Sequence, residues 1–167
     1  MDTVETPERL ITFNGPLEAG IRAVALLGAA YPKPFDLQRL TALDYLLVRT
    51  RDIDGGPESL HPPTPLRSPD AEVRRRIVHQ GLVLMMSRNL VEREAQESGL
   101  VYVAGENAAA FLDALQSFYL RKLKDRAGWL IDHFSDISDV GFNATIRRYF
   151  DDWMIEFQEF ERSIASS

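Results

Sequence analysis

The side chains best suited to proton transfer or metal ligation near neutral pH are three histidines, His61, His79 and His133. They lie far apart, and none sits in a His-Glu-x-x-His pattern or a comparable spacing. A metal site would therefore need carboxylates brought in by the fold, and each histidine reads as an ordinary surface or core residue. Gly55-Gly56-Pro57 is glycine-rich, but no Lys-Ser or Lys-Thr follows it, so it reads as a turn and not as a phosphate cradle. Ser59, Ser68 and Ser87 lack the nucleophile-elbow pattern. Asp151 and Asp152 are adjacent and, on a helix, point about 100° apart, the usual arrangement of a solvated face. With no cysteine in the chain, disulfides, thiolate metal sites and a cysteine nucleophile are excluded together. The expectation is a chain with no catalytic residue, metal ligand or cofactor, and not an enzyme by itself.

Two groups of residues point instead to binding. Arg74, Arg75 and Arg76 open a predicted helix, with His79 one turn beyond. From Ala71 to Glu94 five arginines face three glutamates. Such a patch could hold phosphates or read guanine edges; equally, it could be a solvated face pairing with Glu72 or with a partner's carboxylates. The second group is an aromatic seam, Ile146, Phe150, Trp153, Phe157, Phe160 and Ile164, stepping by 4, 3, 4, 3 and 4. Intramolecular pairing would use that seam, while Tyr149 and Met154 widen it and leave area for a partner helix. A further basic cluster, Arg121 to Arg126, is partly offset by Asp125 and reads as surface.

The elements that must position these groups follow from periodicity and punctuation. Asn14 or Gly15, followed by Pro16, starts a helix whose apolar positions are Leu17, Ile21, Val24, Leu27 and Gly28; Pro32 and Pro34 end it. Asp36 caps a second helix burying Leu37, Leu40, Leu43, Tyr45, Leu46 and Leu47. Residues 51–70 hold five of the nine prolines and read as a long ordered loop. A third helix begins near Ser68 or Asp70 and runs to about Arg88, with an inner stripe of Val73, Ile77, Gly81, Leu84 and Met85. Leu90–Ala95 and Leu100–Ala104, joined around Glu97-Ser98-Gly99, predict a β-hairpin. One long helix is expected from Asn107 to about Phe134, its stripe including Phe111, Leu115, Phe118, Leu123, Trp129 or Leu130, and Phe134. Another is expected from about Phe142. The fold class is α+β, mostly α: a winged helix over 14–105, carrying the proline-rich loop 51–69, then a helical hairpin over 106–164.

Composition bounds the function. A chain of 167 residues, 45% hydrophobic and 26% charged, suits an ordinary globular domain. Its longest apolar stretches, Ala23 to Tyr31 and Leu82 to Met86, are far short of the roughly 20 residues that span a bilayer. Met1 to Arg9 is acidic and polar, unlike a secretory signal. A cytoplasmic protein with no membrane partner is expected. The net charge of −6 argues against a free-standing DNA-binding module, whose affinity comes mainly from neutralising phosphates.

Several phrases carry a family resemblance: Gly15-Pro-Leu-Glu-Ala-Gly-Ile-Arg-Ala, Tyr31-Pro-Lys-Pro-Phe-Asp-Leu-Gln-Arg-Leu and Leu43-Asp-Tyr-Leu-Leu-Val. With them go Gly55-Gly-Pro-Glu-Ser-Leu-His-Pro-Pro-Thr-Pro-Leu-Arg, Val73-Arg-Arg-Arg, Gln80-Gly-Leu and Asn89-Leu-Val-Glu-Arg. Over residues 14 to 134 the chain resembles the middle component, type 2, of bacterial ABC-three-component systems. The resemblance implies a winged-helix subunit encoded between an SMC- or Rad50-like ABC ATPase and an effector, often a nuclease. Lamassu-type anti-phage and anti-plasmid modules are built similarly. ATP chemistry and DNA cleavage would then belong to the other chains, and double-stranded DNA could be met inside the complex. His61, Pro62, Pro63 and Arg67 match a phrase that recurs in the family. They are candidate partner contacts, together with Tyr149, Trp153, Met154, Phe157 and Phe160. The competing expectation is a winged-helix transcriptional regulator acting as a homodimer.

Overall fold

The computed structural model describes residues 15–53, 55–60, 70–138 and 140–148. The fold is α+β and mostly helical. Helix α1 (Pro16–Ala30) starts with Gly15 as cap and Pro16 in the first position, where a missing N–H costs nothing. It is the central element, packed against α3 and α5 with α2 beside it. Burial therefore extends well beyond a single stripe: Ala19, Ala23, Val24, Ala25, Leu26 and Leu27 are all enclosed. Helix α2 (Leu37–Leu47) is capped by Asp36, whose side chain accepts from the Arg39 N–H at 2.7 Å. A 3₁₀ turn (Thr50–Asp52) follows.

Helix α3 (Asp70–Met86) turns inward a face that keeps Gly81 and Met85 of the predicted stripe but is centred closer to Val78 and Leu82. Val78, Gly81, Leu82 and Met85 are buried, while Val73 is 47% exposed. Helices α1 and α3 approach each other closely at Gly20 and Gly81. A Cβ on Gly81 would lie 2.6 Å from the Gly20 nitrogen and 2.7 Å from the Pro16 carbonyl oxygen. Backbone lies against backbone at this crossing, so neither position has room for a side chain.

Asn89, in the left-handed region at φ 60°, leads from α3 into a hairpin of β1 (Val91–Gln96) and β2 (Gly99–Ala104). The strands pair antiparallel from Val91 opposite Ala104 to Gln96 opposite Gly99, leaving Glu97 and Ser98 as a two-residue turn. Gly99, the first residue of β2, has a φ of +126°, which glycine adopts without steric cost. The base of the hairpin is buried and its tip is exposed. Phe35, between α1 and α2, adds a bridge to β2: its N–H and carbonyl exchange bonds of 2.9 and 2.8 Å with Tyr102.

The predicted long helix from Asn107 to Phe134 is two helices, α4 (Ala108–Ala114) and α5 (Phe118–His133). Polar side chains satisfy the backbone groups that the break frees. Ser117 caps α5 by accepting from the Leu120 N–H at 3.2 Å. Gln116 donates to the Asp113 carbonyl at 2.6 Å, and Lys124 reaches back to the Leu112 carbonyl at 2.8 Å. The break also moves Phe118 out of the expected stripe: it is 70% exposed, with the Lys122 ammonium 4.6 Å from its ring centre. Leu123, Leu130 and Phe134 of that stripe are buried, joined by Ala127. Residues 140–148 are helical again, and Phe142 and Ile146 close the same core, Phe142 meeting Phe134 edge-on at 5.2 Å.

The backbone contact at Gly81 sets a test. Gly81→Ala is expected to destabilise the chain by about 1–3 kcal/mol, because the obstructing atoms are backbone and the helices must separate. Gly128→Ala in α5, where a Cβ meets nothing within 4 Å, is expected to stabilise by about 0.5–1 kcal/mol through helix propensity alone. Urea unfolding of both variants checks the sign; a stabilised Gly81→Ala would contradict the crossing described.

Candidate functional site

Beneath the surface lies a charged framework that joins three helices. Asp44, in the middle of the otherwise apolar end of α2, is enclosed. Its Oδ1 accepts from Arg22 Nε of α1 at 2.6 Å, and its Oδ2 accepts from Arg74 Nη1 of α3 at 2.5 Å. The side chains of Arg22 and Asp44 are 5% and 3% exposed, that of Arg74 22%. Burial by itself disfavours the charged forms of Arg22 and Asp44, but their mutual attraction outweighs it. Arg22, and then Arg74, hold the Asp44 carboxyl below the usual carboxylate range, and Asp44 raises Arg22 above its ordinary value. Burial also pushes up the nearby Tyr119 hydroxyl; Arg22 opposes this, while Asp44 and Glu18 add to it. The Arg74 guanidinium also lies 5.1 Å from the centre of the Tyr45 ring, and Arg49 lies 4.4 Å from it.

Of the predicted arginine patch, Arg74 is thus turned inward, and it pairs with Asp44 rather than with Glu72. Arg75, Arg76 and His79 are exposed on α3. Arg75 looks onto a cleft of about 290 Å³ between α2, α3 and the helical residues 140–148, and Arg147 lines the same cleft. A larger groove of about 720 Å³ lies between the end of α1, the hairpin and α4. Glu92, Glu94, Glu106 and Asp113 line it, and among the described residues none of the four has an ion-pair partner. Tyr31, 65% exposed, stands at its rim.

The second basic cluster is largely committed within the chain, through Lys122 over Phe118, Lys124 on α4, and Arg126, whose Nε donates to the Glu58 carbonyl at 3.1 Å. That last bond ties α5 to the first part of the proline-rich loop. There the buried Thr50 hydroxyl donates to the Pro57 carbonyl at 2.9 Å, and the Arg51 N–H donates to Ser59 Oγ at 3.2 Å. His133 is stacked on Trp129 at 4.9 Å and meets Phe134 edge-on. His61, Pro62, Pro63 and Arg67, and likewise Tyr149, Trp153, Met154, Phe157 and Phe160, lie outside the described residues. Among the described residues no group of three or more histidine, aspartate or glutamate side chains could hold a metal ion, and no helix is long and apolar enough to cross a membrane.

The sequence reading passed over Arg22, Asp44, Arg147 and the groove carboxylates. Arg22 and Asp44 did leave a signal, a lone charge inside an apolar run. Glu92 and Glu94 left another, since alternation along a strand puts both on one face.

Compared with known proteins, residues 12–156 match the family model described as ABC-three component (ABC-3C) system Middle Component 2. The match extends past residue 134, where the resemblance read from the sequence ends, and takes in the helical residues 140–148. No curated protein and no solved structure gave a significant match.

The buried carboxylate sets a pH-dependent expectation. Asp44→Asn leaves Arg22 buried without its anion and is expected to cost about 3–5 kcal/mol at pH 7. Because the folded-state value of Asp44 is depressed, the unfolded chain takes up the proton first as pH falls. Its contribution is therefore complete above about pH 4 and is lost as pH drops through the folded value. Urea titrations of both proteins from neutral to acid pH should show the stability gap narrowing only below about pH 4. A gap unchanged in acid would show that Asp44 is not the ionised centre of this framework.

Proposed function

The chain belongs to the middle component 2 family of ABC-three-component systems, and on that footing we propose that it acts as a non-catalytic adaptor within such a system. The observation that carries this reading is the pair of clefts. Among the described residues one is lined by two arginines and the other by four carboxylates, they share no lining residue, and α1 at the acidic groove is joined through Asp44 to α2 and α3 at the basic cleft. A bridging subunit needs two surfaces that do not exchange partners, and opposite charge is the simplest physical means of keeping them apart. The partners in this reading are an SMC- or Rad50-like ABC ATPase and an effector of nuclease type, as in Lamassu-type defence. The adaptor would hold the effector inactive and release or reposition it when foreign DNA is sensed. Among the described residues the buried charges of Arg22 and Asp44 support a non-catalytic role, since they are spent on each other in joining α1 to α2.

The helix–helix–helix–hairpin order supports a winged-helix architecture with β1 and β2 as the wing. The Phe35 bridge to β2 adds a third strand-like segment where that architecture places one. Exposed Arg75, Arg76 and His79 on α3 favour a second reading, a DNA-binding regulator. The wing weighs against it: Glu92, Glu94 and Glu97 outnumber Arg93, and a negative wing repels phosphates.

Co-expression with the products of the neighbouring genes, followed by affinity purification and mass determination, separates the two. A stoichiometric complex with a coiled-coil ATPase is expected. A chain that ignores those products and instead binds a defined duplex with a steep salt dependence would replace the adaptor reading with the regulator.

A further inference from the structure

The arginine-lined cleft has a floor and a rim of different chemistry. Its floor is apolar and buried, made by Ala42 of α2 and by Phe142 and Ile146 of the final helical segment. Its rim carries the Arg75 and Arg147 guanidinia and the side-chain amides of Gln38 and Asn143, all on exposed residues. Among the described residues none of these four side chains is engaged in a hydrogen bond or ion pair. Among the described residues no carboxylate lines the cleft, although the chain has 25 acidic residues against 19 basic ones. A second arginine layer lies close by. The buried Arg39 guanidinium is 4.1 Å from the centre of the Phe142 ring, so the floor itself rests on a cation.

Size decides between the anions that could enter. A cleft of about 290 Å³ accepts one or two side chains. Duplex DNA gains affinity from many phosphates met along its length by cations on a surface that follows the rod. A backbone phosphate brings nothing apolar to fill a floor of Ala42, Phe142 and Ile146. A peptide carboxylate is planar and matches the guanidinium fork, and the residue beside it can supply the apolar part.

We propose that this cleft docks an acidic segment of another subunit, with an aspartate or glutamate held between Arg75 and Arg147 and an adjacent leucine- or phenylalanine-type side chain on the Ala42–Phe142–Ile146 floor. The proposal rests on the adaptor reading and names the chemistry of one partner. Gln38 and Asn143 orient the incoming backbone by hydrogen bonding. Arg74 takes no part, because Asp44 holds it.

The test uses the full chain and overlapping synthetic peptides covering the acidic segments of the neighbouring gene products, titrated by fluorescence anisotropy, with a random-sequence DNA duplex alongside. Arg75→Gln and Arg147→Gln are both at exposed positions, and circular dichroism checks that each stays folded. Arg88→Gln changes the net charge equally at an exposed position outside the cleft. At least one acidic peptide is expected to bind, each cleft variant weakening it about tenfold or more and Arg88→Gln leaving it unchanged. A peptide carrying lysine in place of its acidic residue is expected to bind Arg75→Glu better than it binds the parent chain. Equal binding by all variants would overturn the proposal. So would peptides that fail to bind while the full-length subunit still co-purifies, an outcome that leaves the adaptor reading standing. Loss of co-purification as well would remove both. Duplex binding that depends on Arg75 and Arg147 would assign the cleft to phosphate instead.

Discussion

A carboxylate with both oxygens occupied by cations from two other helices is the constraint on which the rest of this molecule depends. Removing a carboxylate and a guanidinium from water costs several kcal/mol per ion, and attraction offsets this only when the geometry is close and the lone pairs are used. Asp44 meets that condition through short charge-assisted hydrogen bonds from Arg22 and Arg74. An apolar contact between α1, α2 and α3 would tolerate sliding, since hydrophobic attraction has no direction. A shared carboxylate does not, because a displacement of one helix leaves a buried charge without its partner. The triad therefore fixes the relative placement of three helices that the hydrophobic core merely holds together.

The functional surface inherits that placement. Arg74 and Arg75 are neighbours in sequence but point in different directions: one is drawn toward Asp44, the other lines the cleft with Arg147. The inward pull on Arg74 sets which residues of α3 face outward, and hence where Arg75, Arg76 and His79 are presented. In the same way, the break at Leu115 to Ser117 lets α4 bring Asp113 to the acidic groove while α5 turns back along α1.

Most of the element order was legible in the sequence. Pro16, Asp36, Gly99 and the alternation after Leu90 locate two helices and the hairpin, because caps and turns are chosen by local chemistry that needs no partner. The phase of α3 was legible only in part, through Gly81 and Met85. Its hydrophobic spacing admits two faces one residue apart, and a long-range ion pair and a glycine crossing select between them. Ser117 was readable in principle as a cap, but the apolar stripe from Phe111 to Phe134 runs across it and suggests continuity. The arginine patch was seen as a patch. Its division into a structural member and a surface member depends on Asp44, thirty residues away. Arg147 belongs to the cleft only through tertiary packing, which no spacing rule reports.

The crossing at Gly20 and Gly81 has a further consequence for how this subunit can change over generations. Two backbones in contact act as a notch and key: helix α3 can neither roll nor advance by a turn without driving a side chain into a carbonyl. Its azimuth is thus indexed independently of what its outer residues are. Positions such as Arg75, Arg76, His79 and Val83 can be exchanged without disturbing the frame beneath them. A component held in this way can have its partner preference rewritten one surface residue at a time while remaining the same folded object.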